Sequence, residues 1–180
     1  NVVGSSIARE SDDVLYTWAG PEIAVATTKA YSTQLAVLDM IGLAFGSALG
    51  TVKKEEYDEA VAELQKLPEK MEQFLASDSC KDIPKYASQY FNHSSVFFIG
   101  RNLDYALGLE GSLKLKEISY IHSEAYASGE LKHGTISLIE DGTLVIALGT
   151  YAPLFDKAMS NVVEVKARGA DVLALTTESH

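Results

Sequence analysis

The second half of the chain alternates fully apolar runs with helical patterns, and this alternation constrains the fold more than any other feature. The apolar runs are Val96–Ile99, Leu144–Leu148 and Val172–Leu175. The segments between them, Leu103–Ser119 and Pro153–Ala167, have the apolar spacing of helices. Strands that are apolar throughout are covered on both faces, and their alternation with helices is typical of a parallel sheet. The sequence therefore predicts an α/β fold, a three-layer α-β-α sandwich with a parallel sheet.

The first half of the chain is predicted to be mainly helical. Apolar residues recur at helical spacing from Thr28 to Leu49, and a second, amphipathic stripe runs from Lys53 to Leu67. Pro68 is predicted to begin a new turn, because proline fits the first turn of a helix better than its interior. Ahead of these segments, Val14–Thr17 is predicted to form a short strand between turn residues. We interpret the amphipathic segment as a connector between two globular parts.

Composition and charge exclude several classes of protein. The net charge of -10 disfavours a nucleic-acid partner, because binding to phosphates requires a basic surface. The single cysteine, Cys80, cannot form an internal disulfide, and no Cys/His cluster has the spacing of a metal site. The longest apolar stretch, residues 35–49, is too short and too polar for a membrane span. We therefore expect a cytoplasmic protein without a metal, whose partners are small molecules or like chains.

Three charged residues share one face of the predicted helix that follows the first apolar run. Glu110, Lys114 and Glu117 are separated by four and three positions, so their side chains project from the same side. One interpretation is a pair of ordinary surface salt bridges, each worth about 0.2–0.5 kcal/mol. The other is a general base, since a lysine that keeps a carboxylate ionised suits proton transfer between adjacent carbons of a sugar. The spacing leaves both interpretations open.

The segment from Ser123 to Gly134 is polar and is interpreted as a loop that carries functional groups. Within it, His133 can accept or donate a proton near neutral pH. An exposed loop histidine without a role fits the composition equally well. His122, which follows the apolar Ile121, is predicted to be a packed or hydrogen-bonded structural residue.

The expected place for a ligand is the carboxyl edge of the sheet. In open parallel sheets ligands bind beyond the carboxyl ends of the strands, so residues 100–102 and 149–151 are the loops in which to seek a site. Gly100 has no glycine partner two residues later, so the dinucleotide fingerprint is missing. A nicotinamide cofactor is therefore disfavoured.

Several motifs carry a resemblance to a known family. They are Gly4–Ser6 with Arg9–Asp12, Ala19–Ala30, Phe98–Arg101, Leu109–Tyr120 and Gly129–Gly134. With these motifs the chain resembles the sugar isomerase (SIS) domains of the glutamine:fructose-6-phosphate aminotransferase family. The resemblance implies a flavodoxin-like fold. It also implies a division into residues 1–50 as the end of a first SIS domain, 51–79 as a helical connector and 80–180 as most of a second SIS domain.

The resemblance also implies a reaction and roles for individual residues. In this family the isomerase half converts fructose 6-phosphate to glucosamine 6-phosphate, using ammonia that a separate glutaminase domain releases from glutamine. By resemblance, Glu117 moves the proton between the first two sugar carbons and Lys114 assists it. His133 opens the sugar ring, and in the family it reaches the site from the neighbouring subunit of a homodimer. Val25 and Thr27 match substrate-contacting positions, and no cofactor is implied.

Other parts of the family pattern are absent from these 180 residues. The glutaminase domain, the phosphate loop of the first SIS domain and the carboxyl-terminal tail with its lysine are missing. We therefore expect a piece of a longer enzyme that is inactive by itself. Two further functions stay open: a fructosamine-phosphate deglycase, which has SIS domains without a glutaminase, and a non-catalytic SIS module that senses sugar phosphates.

Overall fold

The computed structural model describes residues 2–177 and divides between Ile83 and Pro84 into two compact units. Residues 51–79, expected to connect two domains, belong to the first of these units. The division into residues 1–50, 51–79 and 80–180 stays a prediction. Among residues 2–177, no helix is both long enough and apolar enough to cross a bilayer.

The first unit is built from helices. They are α1 (Ser6–Glu10), α2 (Lys29–Ala48), α3 (Lys54–Ala76) and α4 (Asp78–Lys81). The boundaries of α2 confirm the helix predicted from Thr28 to Leu49, and α3 begins one residue after the predicted amphipathic start. Periodic apolar residues over four or more turns are thus a reliable guide to these two helices.

Two predictions for the first unit are wrong. Helix α3 continues through Pro68 instead of starting a new turn there. A proline removes one main-chain donor but has a helical φ, so a long helix can contain it at a local cost. Residues 14–17 are irregular and form no strand. A short apolar run becomes a strand only beside a partner strand, and every strand among the described residues lies between residues 95 and 176.

The second unit contains a parallel sheet. Its elements are α5 (Ile83–Tyr90), β1 (Ser95–Gly100), α6 (Leu103–Ser119), β2 (His122–Ala127), β3 (Leu144–Gly149), α7 (Phe155–Lys166) and β4 (Asp171–Thr176), with 3₁₀ segments at Ser128–His133, Thr135–Leu138 and Ala152–Leu154. The strand order is β2-β1-β3-β4, and all neighbouring pairs are parallel. This is the flavodoxin-like order, whose switch point lies between β1 and β3.

Alternate side chains of the strands enter two different cores. On one face, Phe97, Ile99 and Val145 pack with Leu131 and with Val165 of α7. On the other face are Val96, Phe98, Leu144 and Leu148, together with Tyr90 of α5 and Leu115 of α6. Helices therefore cover both faces of the sheet, which confirms the predicted three-layer sandwich.

Strand β2 lies where the sequence predicts a polar loop. Residues Ser123–Ala127 of that predicted loop are part of the strand, and they include polar side chains and no apolar run. Because β2 is at an edge of the sheet, it pairs only with β1 and does not need to be apolar throughout. The prediction for His122 is also wrong. This residue starts the strand with an exposed side chain, and its Nε2 lies 3.6 Å from Oε1 of Glu124.

Candidate functional site

Helix α6 packs very closely on the sheet, which fixes the side that it turns outward. A Cβ added to Gly111 would lie 2.9 Å from Cε1 of Phe98, so only glycine fits there without a shift. The hydroxyl of Ser123 on β2 donates to the main-chain oxygen of Ser112 over 2.8 Å. Since an α-helix repeats every 3.6 residues, Lys114 and Glu117 project from the side of α6 that faces away from the sheet.

The outward side of α6 carries the predicted charged triplet as a connected group. Lys114 Nζ donates to the carboxylate of Glu117, and it lies 3.6 Å from Oε1 of Glu110. The side chains of Lys114 and Glu117 are 17% and 28% exposed, respectively. The hydrogen bond to Glu117 is the main cause that raises the pKa of Lys114 above its usual value. The amine is therefore charged at neutral pH, and its stabilising effect is lost only as the pH rises through that raised pKa.

Helix α6 also exposes several large apolar side chains. They are Leu103, Leu107, Leu109, Leu113 and Ile118. A patch of large apolar side chains on a helix surface is typical of a surface that further protein covers. If protein covered it, the ion pair would be shielded from water, which strengthens its electrostatic interaction.

His133 ends the 3₁₀ segment Ser128–His133, which we call the His133 segment. Leu131 of this segment is fully buried in the core on the α7 face of the sheet. Lys132 Nζ forms an ion pair with Oε1 of Glu164 on α7 at 2.7 Å. The side chain of His133 is exposed, and Gly134 follows it with a φ of 153°. A well-anchored segment thus presents the imidazole to the outside.

The His133 segment and the charged group of α6 lie on opposite sides of the sheet. Leu131 packs in the core that α7 covers, whereas Leu115 of α6 packs in the other core. Glu117 points away from the sheet on the far side of α6. Within one chain, the sheet and the body of α6 therefore separate Glu117 from His133.

The loops predicted to hold a ligand are tied together by a carboxylate of the protein. Asp104 is buried in the first turn of α6, and its two oxygens accept hydrogen bonds from Thr150 N at 3.0 Å, Thr150 Oγ1 at 2.5 Å and Tyr151 N at 3.1 Å. The main-chain donors beyond β3, which could have bound an anion, are thus already engaged. Glu117 lies near the other end of α6, where the chain enters β2. The predicted catalytic residues therefore do not lie at the predicted carboxyl-edge loops. Asp104, which holds these loops, was not among the predicted site residues.

Val25 and Thr27 lie in the first unit, away in sequence from the other candidates. The side chain of Val25 is almost completely exposed, and Thr27 Oγ1 donates to Oε2 of Glu22 at 3.0 Å. This hydrogen bond is the main cause that lowers the pKa of the Glu22 carboxyl below its usual value. Thr28 occupies the N-cap of α2 without a capping hydrogen bond from its side chain.

One cavity of about 520 Å³ opens in the second unit at the amino edge of the sheet. His93, Ser95, His122 and Glu140 are among the residues that line it, whereas Lys114, Glu117 and His133 do not. Within residues 2–177, no three His, Cys, Asp or Glu side chains group closely enough to hold a metal ion.

A comparison with protein families decides the assignment. The family model of the SIS domain matches residues 89–180, slightly more than half of the chain. The chain belongs to the SIS domain family. The family predicted from the motifs is thereby confirmed, and the matched segment contains Lys114, Glu117 and His133.

Relatives of this SIS chain share one name. It is 58% identical over 180 residues to the glutamine–fructose-6-phosphate aminotransferase (isomerizing) of Caldanaerobacter subterraneus subsp. tengcongensis and 56% identical over 178 residues to that of Clostridium acetobutylicum. These alignments cover 100% and 99% of the chain but only 29% of each relative. The C-terminal domain of glucosamine-fructose-6-phosphate aminotransferase from Francisella tularensis superposes with a TM-score of 0.94 at 37% identity, over 99% of this chain and 50% of that one.

Proposed function

We propose that this SIS chain is part of the isomerase portion of a cytoplasmic glutamine:fructose-6-phosphate aminotransferase, and that the charged group on α6 performs the isomerisation. The observation that carries the proposal is the Lys114–Glu117 ion pair on a helix that also exposes large apolar side chains. Identity of 56–58% to aminotransferases over the whole chain supports it. Because the chain spans less than a third of those relatives, the glutaminase activity would belong to other parts of the protein.

The chemistry of the pair suits a proton shuttle between neighbouring carbons. Glu117 would take a proton from one of the first two carbons of the nitrogen-bearing sugar and return it to the other, so no net proton is consumed. The charged amine of Lys114 pairs directly with the carboxylate that would act as this base. Val25 and Thr27 would contact fructose 6-phosphate and the product glucosamine 6-phosphate.

The ring of the incoming sugar has to be opened before this proton transfer. We propose that the imidazole of His133 serves this step, since it can exchange a proton with the ring oxygen near neutral pH. Because the sheet separates His133 from Glu117 within one chain, the two groups would meet only across two copies. The proposed enzyme is therefore a homodimer in which each site takes His133 from the neighbouring subunit.

The test is the Glu117→Gln variant of the full-length protein. We expect formation of glucosamine 6-phosphate from fructose 6-phosphate and glutamine to fall by about 10²–10⁴-fold, because the amide cannot accept the proton. Binding of fructose 6-phosphate, measured by calorimetry, should persist. The matched control is Glu72→Gln, which removes an exposed carboxylate of α3 that has no ion pair within residues 2–177. Full turnover by the Glu117 variant would refute the role.

The nitrogen donor separates this proposal from the two other functions. An aminotransferase forms product only with glutamine or ammonia, whereas a deglycase releases the sugar from a phosphorylated fructosamine without either. A sensor would bind fructose 6-phosphate without turnover by the intact protein. Product analysis of the full-length protein with each substrate distinguishes the three.

A further inference from the structure

A chain of four polar side chains connects the end of β1, helix α7 and the His133 segment. Arg101 Nε and Nη2 donate to Oδ1 of Asn161 at 3.1 and 2.9 Å. Asn161 Nδ2 in turn donates to Oε2 of Glu164 at 3.1 Å. The other oxygen of Glu164, Oε1, forms an ion pair with Lys132 Nζ at 2.7 Å. The network therefore runs without a gap from the sheet to the residue before His133.

The same network holds the His133 segment at a second point. A Cβ added to Gly129 would lie 3.0–3.3 Å from the guanidinium of Arg101, so the cation lies directly against the main chain of the segment. Because Asn161 is buried and fixes two guanidinium nitrogens, Arg101 has little freedom to move. Arg101 thus touches the segment near its start, and Glu164 holds it near its end.

The charges of the network suit a permanent link. The hydrogen bond from Lys132 is the main cause that lowers the pKa of Glu164, and Asn161 and Arg101 act in the same direction. Glu164 therefore remains ionised well below neutral pH, and the link weakens only as the pH falls through that lowered value. Leu131 anchors the same segment in the core independently of this ion pair.

We propose that Arg101, Asn161, Glu164 and Lys132 are positioning residues that set where the His133 imidazole is presented for ring opening. This inference rests on the proposed function of His133. None of the four needs to touch the substrate. The network acts by holding both ends of a six-residue segment whose last side chain is exposed. A displacement of about 1 Å in a reacting group can lower a rate by about 10²-fold.

The experiment compares a cyclic substrate with one that is always open. Fructose 6-phosphate closes its ring through the 5-hydroxyl, so 5-deoxyfructose 6-phosphate cannot cyclise and needs no ring opening. In the full-length protein, we expect Lys132→Met to lower kcat/KM for fructose 6-phosphate by about 10–100-fold and to leave that for the 5-deoxy compound within about twofold. Lys132→Arg, which keeps the ion pair with Glu164, should restore most of the loss.

Three further variants keep the result interpretable. Glu164→Gln removes the charge at the other end of the ion pair and should reproduce the substrate-dependent loss. Lys166→Met is the matched control, since it removes an exposed cation of α7 that has no ion pair among residues 2–177, and it should change neither rate. Lys132→Gln replaces Lys132→Met if the latter is not recovered as folded protein.

The possible outcomes separate this inference from the function on which it rests. Equal losses on both substrates, no loss on either, or no recovery with Lys132→Arg would each overturn the positioning role. Glu117→Gln, assayed in parallel, should lose activity with both substrates. If it retains activity with both, the proposed function fails as well. If only the Lys132 pattern is absent, the proposed function stands and the positioning role does not.

Discussion

The carboxylate of Asp104 lies at the carboxyl edge of the sheet, where doubly wound folds commonly bind ligands. The switch point between β1 and β3 brings the loops after these strands together, and their free main-chain N–H groups can attract an anion. Here Thr150 and Tyr151 direct those N–H groups at Asp104. These two N–H groups are therefore already engaged by a carboxylate of the protein and are not free to bind another anion.

Replacing Asp104 by asparagine tests how much this carboxylate contributes. Asparagine carries no charge. Even if its oxygen accepts from both N–H groups and its NH₂ group donates to the Thr150 hydroxyl, charge-assisted hydrogen bonds are replaced by weaker neutral ones, at a cost of about 1–3 kcal/mol. We expect Asp104→Asn to lower the midpoint of thermal unfolding. Hydrogen exchange at the amides of Thr150 and Tyr151 should become roughly tenfold faster or more, because the loop opens more often.

The control for this prediction is Asp156→Asn. Asp156 also lies in the first turn of a helix of the second unit, but its side chain is exposed. Only its favourable interaction with the helix dipole is lost, which is worth about 0.3–1 kcal/mol. Unchanged exchange at Thr150 and Tyr151 in the Asp104 variant would show that the loop is held by other contacts.

At the residue scale, the sequence predicts contacts that are local and misses those that are not. The ion pairs within Glu110, Lys114 and Glu117 follow from helical spacing, and the structure contains both of them. The hydrogen bonds that Thr150 donates to Asp104 and Arg101 donates to Asn161 join residues 46 and 60 positions apart. They depend on which strands become neighbours, and no periodicity in the sequence encodes that directly. The roles of Glu117, Lys114, His133, Val25 and Thr27 stay predictions.

At the scale of elements, apolar periodicity predicts the long helices and the apolar strands. Strands β1, β3 and β4 and helices α2, α6 and α7 were all predicted, with boundaries close to those of the structure. Strand β2 was missed because an edge strand has weaker burial requirements than a central one. Helix α3 was divided wrongly at Pro68, because a proline signals a helix end only statistically.

Pro68 offers a test of the continuous α3 helix. It lies fifteen positions into a helix of 23 residues, where its missing N–H cannot donate to the preceding turn. Replacing it by alanine should restore that hydrogen bond, and the intrinsic preference for alanine inside a helix is about 3 kcal/mol. We therefore expect Pro68→Ala to raise the midpoint of thermal unfolding and the helical signal in circular dichroism.

The matched control for Pro68 is Pro84→Ala. Pro84 is the second residue of α5, where main-chain N–H groups have no partner within the helix. Alanine gains no hydrogen bond at that position, so little change is expected. A lower midpoint of thermal unfolding in the Pro68 variant would contradict this prediction. It would mean that Pro68 stabilises the local main-chain conformation more than a restored helical hydrogen bond does.

At the scale of the whole molecule, the two proposed catalytic groups lie on different sides of the sheet. The His133 segment lies on the face that α7 covers, and Lys114 with Glu117 lies beyond α6 on the other face. A rigid parallel sheet does not let groups on its two sides act on one small sugar. If both groups serve the same reaction, each must come from a different copy of the chain. A symmetric dimer provides two such sites at once, because each copy gives and receives the same residue.

Mixing two inactive variants tests this arrangement. A full-length Glu117→Gln protein lacks the base, and a His133→Ala protein lacks the imidazole, so neither homodimer should form glucosamine 6-phosphate at an appreciable rate. In a mixed dimer one site carries both defects, while the other combines Glu117 of one chain with His133 of its neighbour. After co-expression and purification through both tags, every dimer is mixed and has one intact site out of two, so about half of wild-type activity should return. If the two groups acted within one chain, every site in the mixed dimer would lack one of them and no activity would return.

Size-exclusion chromatography of differently tagged subunits, purified through both tags, confirms that the assayed sample is the mixed dimer. An inactive mixed dimer would therefore exclude the shared site, because both variants are then present in one assembled molecule.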